Sequence, residues 1–354
     1  MIKVLIVEDS RVVSEYMQYI LSFEPEISVI GNVSNGKAAI EFVNKNKPDV
    51  ITMDVNMPIM NGLEATGIIM STNPVPIIIV SGIQNTKDVS VSLEALAAGA
   101  LSVIEKPAGI NHPQETEQRK KLISMIKLMA EVKVITRKPS KSVQVGKNQI
   151  LKKTGFTPNS ENLNNRKIVA IGVSTGGPQL LQTIFSKLTS KFPCPILVVQ
   201  HITTGFLDGL VNWIDSTTTI PVHIATQNET LLPGHIYFAP NNYQMGVKAT
   251  GKIALSENGA NNGICPSVAH LFESVEREYG NMAIAIILTG MGRDGAVELK
   301  QLREAGALTI AQDKESAMIY GMPGVAADIN AADFILNTQQ IVDLLIKMEN
   351  RFER

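Results

Sequence analysis

The sequence predicts an α/β protein made of two domains, each a doubly wound and mostly parallel sheet covered by helices. Short apolar runs alternate with helical patterns in two series along the 354 residues. Such alternation is typical of parallel sheets with crossover helices. A polar, basic segment separates the series, and the length suits two domains of ~150 residues each. We therefore expect domains at 1–136 and 166–354 and a linker at 137–165.

The first series predicts five parallel strands, each followed by a helix. The strand candidates are 2–7, 27–30, 50–53, 76–80 and 101–104, and helix candidates include 12–21, 37–44 and 113–133. The second series predicts another sheet, whose strands begin with "KIVAIGV" and "PILVVQ" and end with "ALTIAQD". Some antiparallel strands are expected in the stretch from "HIYFAP" to "KIALS".

Composition excludes several classes of protein. The net charge of −1 gives no overall attraction to nucleic acid or to a membrane surface. No apolar run reaches the ~18 residues that a spanning helix needs. The start "MIKVLIVEDS" is interpreted as a strand rather than a signal peptide, so the two cysteines are expected to be reduced thiols. We expect a cytoplasmic protein that binds no nucleic acid and does not insert into membranes.

The segment between the two series is unusually basic. From 137 to 153 it carries six basic residues and no acidic one, and Asn, Ser, Gly and Pro dominate up to 165. This composition is typical of a solvated spacer. A positively charged segment can instead bind an acidic partner or lie on the neighbouring domain, and the sequence leaves these alternatives open.

Polar side chains follow the strands of the first series where each strand ends. Glu8 and Asp9 follow the first strand and Asp54 follows the third. Neighbouring strand ends meet at the switch point of a doubly wound sheet, where ligands bind. Converging carboxylates repel unless a cation joins them, and hard oxygen ligands suit Mg²⁺, although Glu8 and Asp9 alone could equally cap a helix. Ser81 and Lys106 complete a set suited to phosphoryl transfer.

Residues 1–130 resemble the receiver domain of two-component response regulators, a flavodoxin-like (βα)5 fold. The resemblance rests on "VEDS", "MDVNMPIMNG", "VSG" and "EKP". It implies that Asp54 accepts a phosphoryl group from a histidine kinase and that Ser81 and Lys106 are switch residues. The implied Mg²⁺ ligands are Glu8, Asp9, Asp54 and the backbone carbonyl of Asn56. Val103 stands where the family often has an aromatic switch residue.

The stretch "IGVSTGGPQ" lies between the first strand and helix of the second series. It lacks the lysine of a phosphate-binding P-loop and does not match G-x-G-x-x-G. It matches G-x-S-x-G with Ser174 at the serine position, and such a turn exposes a hydroxyl beside free backbone N–H groups. A glycine-rich turn with an N-capping Ser or Thr fits the stretch equally well.

A nucleophilic serine needs a base and an orienting acid. His201 directly follows the next strand, which predicts that it lies at the same sheet edge as Ser174; it could also be a structural histidine. Asp294 follows the strand "AIAIILTG" in a glycine-flanked loop and is preferred over Asp313, which follows a later strand. The order Ser, His, Asp differs from that of α/β-hydrolases, but a triad is defined by geometry.

These residues lie in motifs that resemble the catalytic domain of the chemotaxis protein-glutamate methylesterase (CheB) family. The motifs are "IGVSTGGP", "VVQHITTGF", "LTGMGRDGA" and "AQDKESAMIYGMPGVA", and the resemblance covers about 166–350. The implied roles are nucleophile for Ser174, general base and acid for His201, and orienting acid for Asp294. The Met291 N–H is implied in the oxyanion hole, with Thr175 as a neighbour. The resemblance also implies that the catalytic domain needs no cofactor.

The two resemblances together imply a phosphorylation-regulated hydrolase that removes γ-methyl groups from chemoreceptor glutamates as methanol during adaptation. The implied partners are a histidine kinase and methylated receptor cytoplasmic domains, and the same site can deamidate receptor glutamines. Action on a non-chemotaxis target and a non-catalytic signalling role are the alternatives. Departures from the family pattern at Cys265, Ala269 and Gln244 lie in segments that could line the substrate cleft, and the sequence leaves open whether they alter substrate choice.

Overall fold

The chain forms two compact units, Met1–Gln144 and Val145–Arg354. The computed structural model describes residues 1–82, 93–107, 109, 112–113, 115–132, 134, 163, 165–257 and 264–350. The linker expected at 137–165 lies outside the described residues, apart from 163 and 165. Among the helices described, none is long and apolar enough to cross a membrane.

The first unit is built on a five-stranded, fully parallel sheet with the order β2-β1-β3-β4-β5. Its strands are β1 (Ile2–Val7), β2 (Ile27–Val33), β3 (Val50–Met53), β4 (Ile77–Ser81) and β5 (Ser102–Glu105). Its helices are α1 (Arg11–Ser22), α2 (Gly36–Lys45), α3 (Gly62–Thr72) and α4 (Glu115–Ala130), and residues 93–97 are also helical. Every residue of β3 and β4 is buried, because helices cover both faces of such a sheet.

The five strands predicted for this unit are confirmed, with small shifts at their ends. The largest shift is in β2, which continues past Ile30 to Val33 and pairs with β1 on both sides of a register shift at Ile30. Gly31 does not end the strand. A Cβ at Gly31 would lie 2.5 Å from the Phe42 ring, so the glycine allows α2 to approach the sheet closely.

The second unit is built on a seven-stranded parallel sheet with the order β14-β13-β12-β6-β7-β9-β8. Its strands are β6 (Ile168–Val173), β7 (Ile196–Gln200), β8 (Val222–Ile224), β9 (Ile236–Phe238), β10 (Gln244–Lys248), β11 (Lys252–Ser256), β12 (Ala283–Ile287), β13 (Leu308–Gln312) and β14 (Phe334–Leu336). Its helices are α5 (Gly177–Phe185), α6 (Leu207–Thr217), α7 (Val268–Tyr279), α8 (Ala296–Glu304), α9 (Met322–Asp328) and α10 (Thr338–Glu349).

The antiparallel strands predicted in the stretch from "HIYFAP" to "KIALS" are confirmed for its second part, where β10 pairs with β11, but not for "HIYFAP" itself. β9 pairs in parallel with β7 and β8. The antiparallel partner of β11 is β10, which was not among the strand candidates. The chain turns between β9 and β10 at Asn242, whose φ is +65°, and asparagine tolerates this left-handed region better than most residues do.

The central position of β6 brings three strand ends together. β6 pairs with β7 on one side and with β12 on the other. Parallel strands present their carboxyl ends at one edge, so the segments that follow these three strands meet there. This edge carries the residues predicted for the nucleophile, the base and the orienting acid.

Two glycines of α3 provide a matched test of how tightly the first unit is packed at Asp54. A Cβ at Gly62 would lie 2.1 Å from the carbonyl oxygen of Asp54, whereas a Cβ at Gly67 meets no atom within 4 Å. We expect Gly62→Ala to destabilise the unit by about 1–3 kcal/mol because backbone must shift. We expect Gly67→Ala to stabilise it by up to ~1 kcal/mol through helix propensity.

Hydrogen exchange of the β3 amides measures both effects as free energies of opening. Equal protection in the two variants would contradict the close contact between α3 and the Asp54 backbone.

Candidate active site

Ser174 lies in the turn that joins β6 to α5 and does not cap that helix. The N-cap of α5 is Gly176, whose φ of +82° is left-handed, and the cap makes no side-chain hydrogen bond. The interpretation of this stretch as a turn capped by Ser or Thr is therefore wrong. The Ser174 side chain is half-buried at the carboxyl edge of the sheet, which is the position a nucleophile requires.

Glycines allow the surroundings of Ser174 to pack closely. A Cβ at Gly290 would lie 2.7 Å from the Cβ of Ser174 and 2.5 Å from the Sδ of Met322. A Cβ at Gly176 would lie 2.8 Å from the Cβ of Met318. Larger residues at either glycine would collide with these neighbours, so the turn is held between methionine side chains and the backbone after β12.

The register of the sheet places His201 beside Ser174. Val173 and Gln200 are paired residues of β6 and β7, and the candidate nucleophile and base each follow directly. The N–H of His201 donates to the carbonyl of Val173 at 2.9 Å, and the N–H of Ser174 donates to the carbonyl of Thr289 at 3.0 Å. The main chain therefore extends the ladder by one step into the candidate site.

His201 and Asp294 form the closest side-chain pair of the site. The Nε2 of His201 lies 2.9 Å from the Oδ2 of Asp294. With Nε2 facing the carboxylate, Nδ1 is the ring nitrogen left to accept a proton. An aspartate in this position holds the imidazole in one tautomer and stabilises its protonated form.

Asp294 is held at the amino-terminal end of α7. Its Oδ2 accepts from the N–H of Val268 at 2.7 Å, and its Oδ1 accepts from the N–H of Ala269 at 3.1 Å and from the hydroxyl of Ser267 at 3.2 Å. Burial raises the pKa of this carboxyl group, but His201 and the N–H donors outweigh it and hold the pKa below its ordinary value. A helix N-terminus stabilises a negative charge in the same way.

The rival acid, Asp313, has a different role. Its Oδ1 accepts hydrogen bonds from the N–H and the hydroxyl of Ser316, at 2.9 and 2.6 Å. This pattern belongs to a local turn. Of the two acids proposed from the sequence, Asp294 is the one that the structure places beside His201.

Two backbone donors are available near Ser174. The N–H groups of Thr175 and Met291 donate no hydrogen bond to any residue in the described part of the chain. The carbonyl of Thr175 accepts from the hydroxyl of Thr289 at 2.9 Å, which fixes the turn. Thr289 was not among the sequence candidates, although its place two residues after β12 could have indicated it.

The side chains of Gln244 and Ala269, which depart from the family pattern, are buried and do not face a cleft. Gln244 is 1 % exposed, and its Oε1 accepts from the N–H of Ser267 at 2.8 Å. Ala269 is 2 % exposed and contributes only its N–H to Asp294. Gln244 therefore acts on Asp294 through Ser267, whereas Ala269 contacts Asp294 directly. Cys265 is a partly exposed free thiol.

The first unit carries a second cluster at the edge of its own sheet. Ligand oxygens of Glu8, Asp9 and Asp54 lie within 4.8 Å of one another. The Nζ of Lys106 lies 2.8 Å from Glu8 Oε2 and 3.0 Å from Asp54 Oδ2. Three carboxylates around one ammonium leave an excess of negative charge, and oxygen-only ligands suit a hard divalent cation.

The charges in this cluster perturb one another. Burial raises the pKa of Glu8 and of Asp54 above the ordinary carboxyl value, although Lys106 acts in the opposite direction on both. Burial lowers the pKa of Lys106, but its two carboxylate partners outweigh this and raise it. Ser81, the last residue of β4, is buried, whereas Asn56 is exposed.

Two family models match the chain. The CheB methylesterase model matches residues 169–345, and the response regulator receiver domain model matches residues 4–116. The crystal structure of the Thermotoga maritima CheB methylesterase catalytic domain is 38 % identical, with a TM-score of 0.50, and the match covers 52 % of this chain and 98 % of that one.

Relatives match over the whole length. A Nitrosospira multiformis protein named protein-glutamate methylesterase/protein-glutamine glutaminase is 46 % identical, covering 98 % of this chain and 97 % of its own. A Syntrophus aciditrophicus protein of the same name, numbered 1, is 45 % identical and covers 98 % of both chains. Both resemblances inferred from the motifs are confirmed. The chain therefore belongs to the CheB methylesterase family and carries a response regulator receiver domain ahead of the methylesterase domain.

Proposed function

We propose that this chain hydrolyses glutamate γ-methyl esters on chemoreceptors, releasing methanol, and that phosphorylation of Asp54 controls the reaction. The observation that carries the proposal is the pair formed by His201 and Asp294 beside Ser174. The names of the relatives support the reaction class and extend it to deamidation of protein glutamines. The proposal assigns the chain to the cytoplasm, where receptor cytoplasmic domains lie, and gives it a histidine kinase as partner.

Catalysis begins at the serine. Ser174 Oγ attacks the ester carbonyl while His201 Nδ1 takes the hydroxyl proton, and Asp294 stabilises the resulting imidazolium. Negative charge develops on the carbonyl oxygen, where the N–H groups of Thr175 and Met291 donate to it. Each donor of this kind contributes ~3 kcal/mol to transition-state stabilisation.

The intermediate then collapses and the acyl-enzyme is hydrolysed. The imidazolium of His201 gives its proton to the departing methoxide, which leaves as methanol. Water, deprotonated by the same ring, attacks the acyl group and releases the glutamate carboxylate and Ser174. With a glutamine substrate, ammonia leaves in place of methanol by the same sequence.

The receiver cluster fits Mg²⁺. Glu8, Asp9 and Asp54 present converging oxygens, and the backbone carbonyl of Asn56 would complete the set. A bound Mg²⁺ supplies charge neutralisation during phosphoryl transfer. Asp54 is the carboxylate that receives the phosphoryl group, and Lys106 lies 3.0 Å from it, where its ammonium can pair with phosphoryl oxygens. Ser81 is the proposed switch hydroxyl.

The alternatives lack support from any observation. The acid, the base and the turn that exposes the serine are all present, which a purely structural adaptor would not require. Hydrolysis of a non-chemotaxis ester would use the same residues, but membership of the CheB methylesterase family favours receptor glutamates.

Substitution of the triad tests the catalytic assignment. We expect Ser174→Ala to abolish methanol release from methylated receptor fragments. We expect Asp294→Asn to lower kcat by about 10³–10⁴-fold, because the carboxylate no longer sets the tautomer of His201. Thr175→Ala is the matched control, since only its backbone N–H is used, and it should keep most of the activity. Wild-type turnover by Ser174→Ala would refute the assignment.

The response to a phosphodonor tests the proposed regulation. We expect acetyl phosphate with Mg²⁺ to raise the rate of methanol release by the full chain. The reason is that the phosphoryl group on Asp54 changes the local charge and packing of the receiver domain and so shifts its conformation. Asp54→Ala should remove the response to the donor. A donor effect that persists in Asp54→Ala would rule out this residue as the phospho-acceptor.

Metal addition and pH test the receiver cluster together. A carboxyl group with a raised folded pKa contributes stability below its unfolded pKa, ~4, and loses it as the pH rises through the folded value. We therefore expect the contribution of Glu8 and Asp54 to the stability of the first unit, without Mg²⁺, to be smaller at neutral pH than at pH ~4. Asp54→Asn should reduce this difference.

Mg²⁺ should restore stability at the higher pH, by about 2.7 kcal/mol at a hundredfold excess over its Kd. Hydrogen exchange of the β1 and β3 amides provides the measurement. Asp9→Asn should weaken the Mg²⁺ effect, and Glu41→Gln, which removes an exposed carboxylate of α2, should not. An equal Mg²⁺ response in these two variants would exclude the cluster as the binding site.

A further inference from the structure

Gln200, the last residue of β7, links the candidate nucleophile to the candidate base. Its side-chain Nε2 donates to the carbonyl of Ser174 at 2.8 Å and to the carbonyl of His201 at 2.9 Å. A primary amide carries two N–H donors, and here each serves one of the two residues. Gln200 is 3 % exposed, so this contact is sealed from solvent.

The link occurs where the sheet no longer holds the two segments together. The last ladder bond between them runs from the His201 N–H to the Val173 carbonyl. After it, one segment turns into α5 and the other continues into the loop before α6. No further backbone bond joins Ser174 to His201 among the described residues. The Gln200 amide is the connection that remains.

The amide is retained although its oxygen is unsatisfied. Gln200 Oε1 is buried and accepts no hydrogen bond from any residue in the described part of the chain, which is unfavourable in a folded protein. The oxygen sits where Gly177 has no side chain: a Cβ there would lie 2.1 Å from it. Unsatisfied buried groups are uncommon and require an explanation. The unsatisfied oxygen of Gln200 is explained by the role of its amide nitrogen, which holds the carbonyls of Ser174 and His201.

The orientation of His201 makes its backbone position important. Nε2 faces Asp294, so the proton acceptor is Nδ1, the ring nitrogen closer to the main chain. A shift of the His201 backbone therefore moves the acceptor directly. A misplacement of about 1 Å in an active site can lower the rate by ~10²-fold.

From this arrangement we infer that Gln200 is a positioning residue, which sets the separation of Ser174 and His201 by binding both carbonyls and does not touch the substrate. The inference rests on the proposed function, since it assumes that these two residues catalyse the hydrolysis. Its signature is a loss of kcat without a loss of substrate binding.

The principal test is Gln200→Glu in the full chain, with methylated receptor fragments as substrate. The substitution keeps the shape of the side chain, but a carboxylate cannot donate and faces two carbonyl oxygens. We expect kcat to fall by about 10²-fold while KM stays within about twofold, since only uniform substrate binding moves KM alone.

The pH dependence of this variant provides a second readout. A protonated carboxyl group donates one hydrogen bond and restores part of the link, and burial favours this neutral form. We expect the ratio of variant to wild-type kcat to rise as the pH falls. A loss of folding alone would not produce a rescue at low pH.

Gly177→Ala disturbs the hydrogen bonds of the Gln200 amide without changing Gln200 itself. The new methyl group would push the amide away from its position, while Val173 adjusts by a smaller amount. We expect a similar fall in kcat, a pH-independent ratio to wild type, and little further loss when Gly177→Ala is added to Gln200→Glu. Gly67→Ala, with no atom within 4 Å of its new Cβ, is the matched control.

The results separate this inference from the proposed function. Loss of activity in Ser174→Ala with wild-type kcat in both Gln200→Glu and Gly177→Ala would overturn the role of Gln200 alone. Activity that survives Ser174→Ala would overturn the proposed function itself. A raised KM with unchanged kcat would also overturn the inference, because it would place Gln200 in substrate binding. If Gln200→Glu fails to fold, kcat of Gly177→Ala decides.

Discussion

The parallel pairing of β6 with β7 and β12 is the constraint on which the rest of the catalytic unit depends. Backbone hydrogen bonds fix the register of these strands, and that register decides which residues follow at the shared edge. Ser174 and His201 are neighbours because Val173 and Gln200 are paired. The segment after β12 reaches the same edge through the bond between Ser174 and Thr289. The site is therefore a consequence of main-chain geometry before any side chain is considered.

The two units use the same kind of sheet edge for different chemistry. In the receiver, strand ends bring three carboxylates and Lys106 into one cluster, and their mutual repulsion favours a cation. In the methylesterase domain, strand ends bring together a hydroxyl, an imidazole and one carboxylate, whose charge is stabilised by α7. Parallel sheets make both possible because loops at one edge can differ while the strands stay fixed.

Periodicity and strand-end position predicted most of the fold and the principal site residues. Ser174, His201 and Asp294 could each be placed after a strand, and the structure brings them to one edge. The supporting residues could not be predicted in this way. Gln244 was noted only as a departure from the family pattern, yet its side chain binds the backbone of Ser267. Contacts from a side chain to a distant backbone group leave no spacing pattern, so only the folded chain reveals them.

The way α7 holds Asp294 has a consequence for how the family can diverge. Two of the three donors at this carboxylate, apart from the imidazole, are main-chain N–H groups, which every residue except proline supplies. The identity of the side chains at Val268 and Ala269 is therefore free to drift during evolution, provided they still pack in the core. What selection must preserve is the place where the helix begins. Two family members can thus differ in the residues at these two positions and still bind the aspartate through the same main-chain N–H groups.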